Sequence, residues 1–95
     1  MAWMYVIRPV RAGMVADPSD EEAEIVTEHF AYLKRMRAQG LVRLAGPSVL
    51  GDDSFGIVLL DTEDEQAART VMEDDPAVAR GVMRGELRPF HLAVS

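Results

Sequence analysis

Of the two histidines in this chain, His29 is the one whose setting invites chemistry. It falls in the series Ile25, Val26, His29, Phe30, Leu33 and Met36, whose three- and four-residue spacing makes one dry stripe of a helix. A leucine is expected there. An imidazole can take and return a proton near neutral pH, so this position suits acid–base work. The plain alternative is a histidine satisfied inside the core. Asp75 is the matching acid. Helical spacing carried on from Ala68 and Val71 lands on Asp75 and leaves Asp74 toward water. Asp75 before Pro76 also fits a helix N-cap with proline at the first position, and capping does not exclude a site role. Ser48, after Gly46 and Pro47, could present a hydroxyl to bind a substrate or could simply belong to a turn. No Gly-x-Ser-x-Gly elbow surrounds it, so it is not read as a nucleophile.

Composition removes several other chemistries. The chain has no cysteine and two histidines, which excludes disulfides, thiol nucleophiles, cysteine metal sites and a three-histidine zinc site within one chain. The acidic runs at 17–24 and 63–65 read as helix starts, because neither has the Asp-x-Asp-x-Asp-Gly spacing of a calcium loop. No phosphate-cradling glycine loop is present. No metal or organic cofactor is therefore expected. The net charge is −6, with Lys34 the single lysine and the arginines scattered, so no nucleic-acid footprint is expected. No apolar run nears the ~18 residues of a membrane span, and the N-terminus has no basic region before a cleavage site. A cytoplasmic location is expected. His91 reads as a sheet residue, Tyr32 as the rim of the helical stripe, and the methionines as core filler.

The elements that must position these residues are legible in outline. Residues 3–8 read as a strand, and 11–18 as a loop. Ser19 and Glu22 form a capping box opening a helix that runs to about Gln39, with Gly40 as its stop. Residues 41–45 read as a second strand ending at Gly46-Pro47, and 55–60 as a third. Thr62 and Glu65 suggest another capping box, for a helix to about Asp74. Asp75-Pro76 stops that helix, a short helical turn runs through Arg80, and 86–94 reads as the last strand. Pro89 places that strand at an edge or marks a bulge. The order βαββαβ is that of a ferredoxin-like α+β sandwich, an antiparallel sheet with two helices on one face. Residues 1–95 are expected to form one domain. In such a fold both helices run back in the same direction from one edge. His29 then lies roughly 14 Å down its helix and Asp75 roughly 18 Å down the other, so the topology permits the pair without requiring it.

The strands carry a further expectation. Trp3, Tyr5 and Ile7 share one face and Met4 and Val6 the other; Phe55, Ile57 and Leu59 oppose Val58 and Leu60; Phe90, Leu92 and Val94 share a face. Neither face reads as polar. A face left uncovered by helices would be an exposed apolar patch, so a homodimer packed through the open sheet faces is expected. The alternative is that the C-terminal segment or the 11–18 loop covers it.

The chain also resembles the YciI-like (YCII-related) proteins. The matching features are His29 followed by Leu33, then Gly40, Ala45-Gly46-Pro47, Asp75-Pro76, Gly81-Val82 and Arg88-Pro89-Phe90. The set runs through nearly the whole chain. The resemblance implies a single domain of the dimeric ferredoxin-like α/β-barrel group, with His29 and Asp75 as a catalytic or binding pair. That group includes a dehydrochlorinase of a chlorinated hydroxyhydroquinone, and muconolactone isomerases share the wider fold. It implies proton transfer on a small cyclic or aromatic metabolite, a lyase or isomerase without a cofactor; the alternative is a non-catalytic dimeric module binding a small molecule or a protein. One departure is Ala77, where the family often has an aromatic after Asp-Pro, which would enlarge or open a pocket.

Overall fold

The computed structural model describes residues 2–48 and 54–94. Four strands and three helices follow the order β1 (Ala2–Pro9), α1 (Asp20–Ala38), β2 (Val42–Ser48), β3 (Phe55–Leu60), α2 (Glu65–Asp74), α3 (Pro76–Ala79) and β4 (Met83–Phe90). The strands form one sheet in the order β2-β3-β1-β4, antiparallel throughout. The helices cover one of its faces, giving the ferredoxin-like α+β fold. Between the layers Tyr5, Ile7, Val58 and Leu60 of the sheet meet Tyr32, Leu33, Ala68, Val71 and Met72 of the helices. Burial of this apolar surface is the main force holding helices to sheet.

Local chemistry explains most boundaries. Ser19 accepts from the Glu22 amide and Glu22 reaches back to the Ser19 amide, closing the capping box at the start of α1. Gly40 follows the C-cap Gln39 with φ +81°, a conformation glycine adopts without steric cost. The two edge strands hold Pro47 and Pro89, where a missing amide breaks no interior ladder.

Three expectations are corrected. The last strand spans Met83–Phe90 rather than 86–94: its start is fixed by pairing with Pro9 and Arg8 of β1, and His91, Leu92 and Val94 lie beyond it. The cap of α2 is Asp64, which accepts from the Ala67 amide. Thr62 is instead buried, with its hydroxyl unpaired among the described residues. β2 continues through Gly46 and Pro47 to Ser48, past a register shift between Val42 and Leu44.

The new boundaries change the open face of the sheet. By strand alternation and register, Met4 and Val6 of β1 and Ile57 and Leu59 of β3 lie on the face away from the helices. On β4, however, that face carries Arg84, Glu86 and Arg88, opposite Arg8, Val6 and Met4. The open face is thus apolar along its centre and charged along one edge, not apolar throughout.

Candidate active site

α1 is turned slightly from the stripe its spacing predicts. Ile25, His29, Tyr32 and Leu33 are buried, while Val26 is half-buried and Phe30 stays 48% exposed. Tyr32 is not a rim residue; its hydroxyl donates to the Val71 carbonyl at 2.7 Å, tying α1 to α2.

Asp75 sits in the break between α2 and α3. It is the C-cap of the first and the N-cap of the second, with extended backbone and Pro76 next in line. Its side chain is completely buried. Such a carboxylate must be met by donors, and three elements supply them. From α3, the Ala77 amide donates to Oδ1 at 3.0 Å. From β1, the Tyr5 hydroxyl donates to Oδ2 at 2.7 Å. From α1, His29 Nδ1 lies 2.7 Å from Oδ1 and 2.9 Å from Oδ2. His29 and Asp75 are therefore in direct contact, across 46 positions of sequence.

The hydrogen bonds fix the imidazole. An ionised carboxylate only accepts, so Nδ1 carries the hydrogen and Nε2 of the neutral ring presents a lone pair. Nε2 has no hydrogen-bond partner among the described residues, yet the one fully enclosed unpaired side-chain polar atom there is the Thr62 hydroxyl. Nε2 must then reach open space, and His29 lines a cavity of about 210 Å³. Tyr5 is held in its protonated, donating form: burial, and then the charge of Asp75 beside it, push its hydroxyl well above the ordinary tyrosine range.

The cavity opens between α1 and the end of the sheet. Ile7, Val58, Ala45 and Pro47 line it from the strands, and Val26 and Leu33 from α1. Its space depends on small residues. Gly56 lies opposite Ile7, and a Cβ there would come within 2.9 Å of Ile7 Cγ1. Val15, from the loop after β1, completes the lining; this loop is held to α1 by Arg11, which donates to Glu22 and to the Asp17 carbonyl. Among the described lining residues, the polar side chains are those of His29 and Ser54.

Ser48 does not line this cavity. It ends β2 opposite Phe55, and alternation puts it on the other side of the strand from Pro47. Ala77 does not line it either; it is fully buried. His91 is exposed beyond β4. Tyr5 is the residue that spacing alone passed over. The usable signal was that a tyrosine on the helix-covered face of a central strand must find a partner for its hydroxyl. Among the described residues, no group of three or more His, Asp or Glu side chains is placed to hold a metal ion.

Comparison with known proteins agrees with this architecture. The solved structure of 5-chloro-2-hydroxyhydroquinone dehydrochlorinase from Burkholderia phenoliruptrix, in complex with 2,5-dihydroxybenzoquinone, is similar with a TM-score of 0.71. The match covers 96% of this chain and 94% of that one, at 17% sequence identity, and so speaks to the fold. No curated protein sequence matches the chain. The sequence pattern of the YCII-related domain, however, matches residues 1–91, from β1 to just past the end of β4, and on that match the chain belongs to the YCII-related domain family.

Proposed function

We propose that this protein is a cofactor-independent lyase or isomerase that moves a proton on a small cyclic or aromatic molecule bound beside His29. The observation carrying this reading is the buried imidazole whose Nδ1 is engaged by Asp75 and whose ring lines an apolar cavity. Nε2 takes a proton from a ring carbon. The electron pair of the broken C–H bond becomes a double bond as a leaving group departs with its own pair, or the proton is returned from Nε2 at another carbon. Asp75 holds the ring and its tautomer and offsets the positive charge that His29 gains. Tyr5 and the Ala77 amide keep the carboxylate in place. The similarity in fold to a dehydrochlorinase, and the chain's place in the YCII-related domain family, support a lyase-type reaction here.

The test is turnover of a panel of cyclic ketones, hydroquinones and halogenated phenols, followed by NMR in heavy water for exchange and for release of the leaving group. His29→Asn should lower any activity found by about a hundred-fold or more, under conditions where circular dichroism shows the variant still folded. Equal turnover by His29→Asn would sink the proposal. If no compound reacts or shifts the melting temperature while both His29→Asn and Asp75→Asn unfold, the pair is a core feature instead.

The open sheet face supports a second element of the proposal, a homodimer. Met4, Val6 and Ile57 remain only half-buried there, with the charged edge of β4 beside them. Sedimentation at micromolar concentration should give twice the 10.5 kDa chain mass, and Val6→Lys should give the monomer. A parent protein that sediments as a monomer refutes the dimer. No helix among the described residues is long and apolar enough to cross a membrane.

A further inference from the structure

With His29 taken as the proton-handling group, we infer that the cavity selects a substrate that is uncharged before reaction: a monocyclic ketone or phenol without a carboxylate. Three observations converge on this class. The first is the lining. Among the described residues no lysine, arginine or acidic side chain faces the cavity, and its walls are made by groups such as Ile7, Val26, Leu33 and Met83. The second is where the nearby cations are used. Arg11 is committed to Glu22 and Asp17, and Arg80 to Glu28. Arg8 is stacked on the ring of Phe55, a residue that borders the cavity, and strand alternation puts Arg8 itself on the sheet face opposite Ile7. An anionic group entering the cavity would shed its water and meet no fixed positive charge.

The third observation is the contact between His29 and Asp75, which already places one negative charge against the ring. A substrate with its own anion would bring its charge beside Nε2 before the step; a neutral substrate does not. Negative charge then develops on it only as the proton leaves, when the imidazolium formed in the same step sits next to it, so the attraction belongs to the transition state.

Size agrees with a single ring. A dry apolar cavity of roughly 150 Å³ holds a benzene molecule. About 210 Å³ leaves room for that ring and a few substituent atoms. Phe30 and Val15, 48% and 59% exposed, extend the apolar surface outward from the cavity.

The experiment uses two matched pairs of probes at neutral pH: phenol against 4-hydroxybenzoate, and benzyl alcohol against benzoate. Binding to the full chain is followed by NMR through the methyl groups of Ile7, Val26 and Leu33 and the imidazole nitrogens of His29. The neutral member of each pair should bind at the cavity about ten-fold or more tightly than its carboxylate. Phe30→Arg, at an exposed position beside the cavity, should narrow or reverse that preference. Ala45→Leu, which fills the cavity from the exposed edge strand, should abolish binding of the neutral probes. Carboxylates that bind as well as their neutral partners overturn the inference, and so does a failure of both neutral probes to reach the cavity methyls. Neutral-ring selectivity together with turnover unaffected by His29→Asn would leave the selectivity standing and sink the proton-transfer reading alone.

Discussion

Tyr5 shows how one side chain serves both the core and the candidate site. Its ring fills the space between sheet and helices, and its hydroxyl answers one oxygen of Asp75. Tyr5→Phe should cost about 1–3 kcal/mol in urea unfolding, because it removes a donor from a buried carboxylate without removing bulk. The chain has two tyrosines, and both hydroxyls are displaced upward. Tyr32 is pushed up to about 12 by burial and then by the charges of Asp74 and Asp75, with Arg35 opposing. Tyr5 lies higher. The sign follows from linkage. A raised folded value gives stability that is complete below the unfolded value of about 10 and lost as pH climbs toward 12. Tyrosinate absorbance should therefore rise only together with loss of the circular-dichroism signal. A tyrosine that titrates near pH 10 in a folded protein would refute this. His29 was legible in the sequence because a polar residue broke an apolar period. Tyr5 was not, because its partner lies 70 positions away and only the packing of β1 beneath the α2–α3 break brings them together.

The break between α2 and α3 gives Asp75 its duties as an element. It ends one helix, starts another and meets His29. Asp75→Asn preserves an oxygen for the Ala77 amide, whereas Asp75→Ala preserves nothing and strands both Tyr5 and His29. Asp75→Ala should cost about 3–5 kcal/mol in denaturant unfolding, and Asp75→Asn clearly less. Equal losses would mean that the cap contributes nothing. The start of α1 carries a separate, acid-sensitive device. The Arg11 guanidinium, followed by the Ser19 amide, holds the Glu22 carboxyl down at about 2. A depressed folded value gives stability that is present above the ordinary glutamate range and lost as pH falls toward 2. The melting-temperature gap between the parent and Glu22→Gln should accordingly be open at neutral pH and close between about pH 4.5 and 2. A gap that ignores pH would refute the assignment. The sequence placed this capping box correctly because Ser19 and Glu22 are three residues apart. It misplaced the one at α2, where Thr62 and Asp64 compete for the same role and burial of Thr62 decides between them.

At the scale of the whole molecule, the order of elements was readable because helical and strand periods alternate cleanly along the chain. The end of β4 was not. The apolar residues Leu92 and Val94 extend the strand pattern past Phe90, while the true start at Met83-Arg84-Gly85 looks poor as a strand until β1 is there to pair with it. Gly85 has a positional reason: a Cβ there would lie 2.9 Å from Met72 Sδ and 3.3 Å from Val78 Cγ2. Gly85→Val should destabilise the fold by about 1–3 kcal/mol, with equilibrium unfolding as the measure, since it wedges β4 away from α2 and α3. Full stability in that variant would show that the helices have room to move.

The contact between His29 and Asp75 also has a temporal side. One residue belongs to the first β-α-β segment of the chain and the other to the second, so neither segment can assemble the pair alone. Closing so long a span is slow compared with winding either helix. The pair thus records the docking of two halves. If docking follows the rate-limiting step, His29→Asn should quicken unfolding and leave refolding almost unchanged, as stopped-flow kinetics can measure. A chain caught before docking would have its helices and its base, but no partner to aim that base at a substrate.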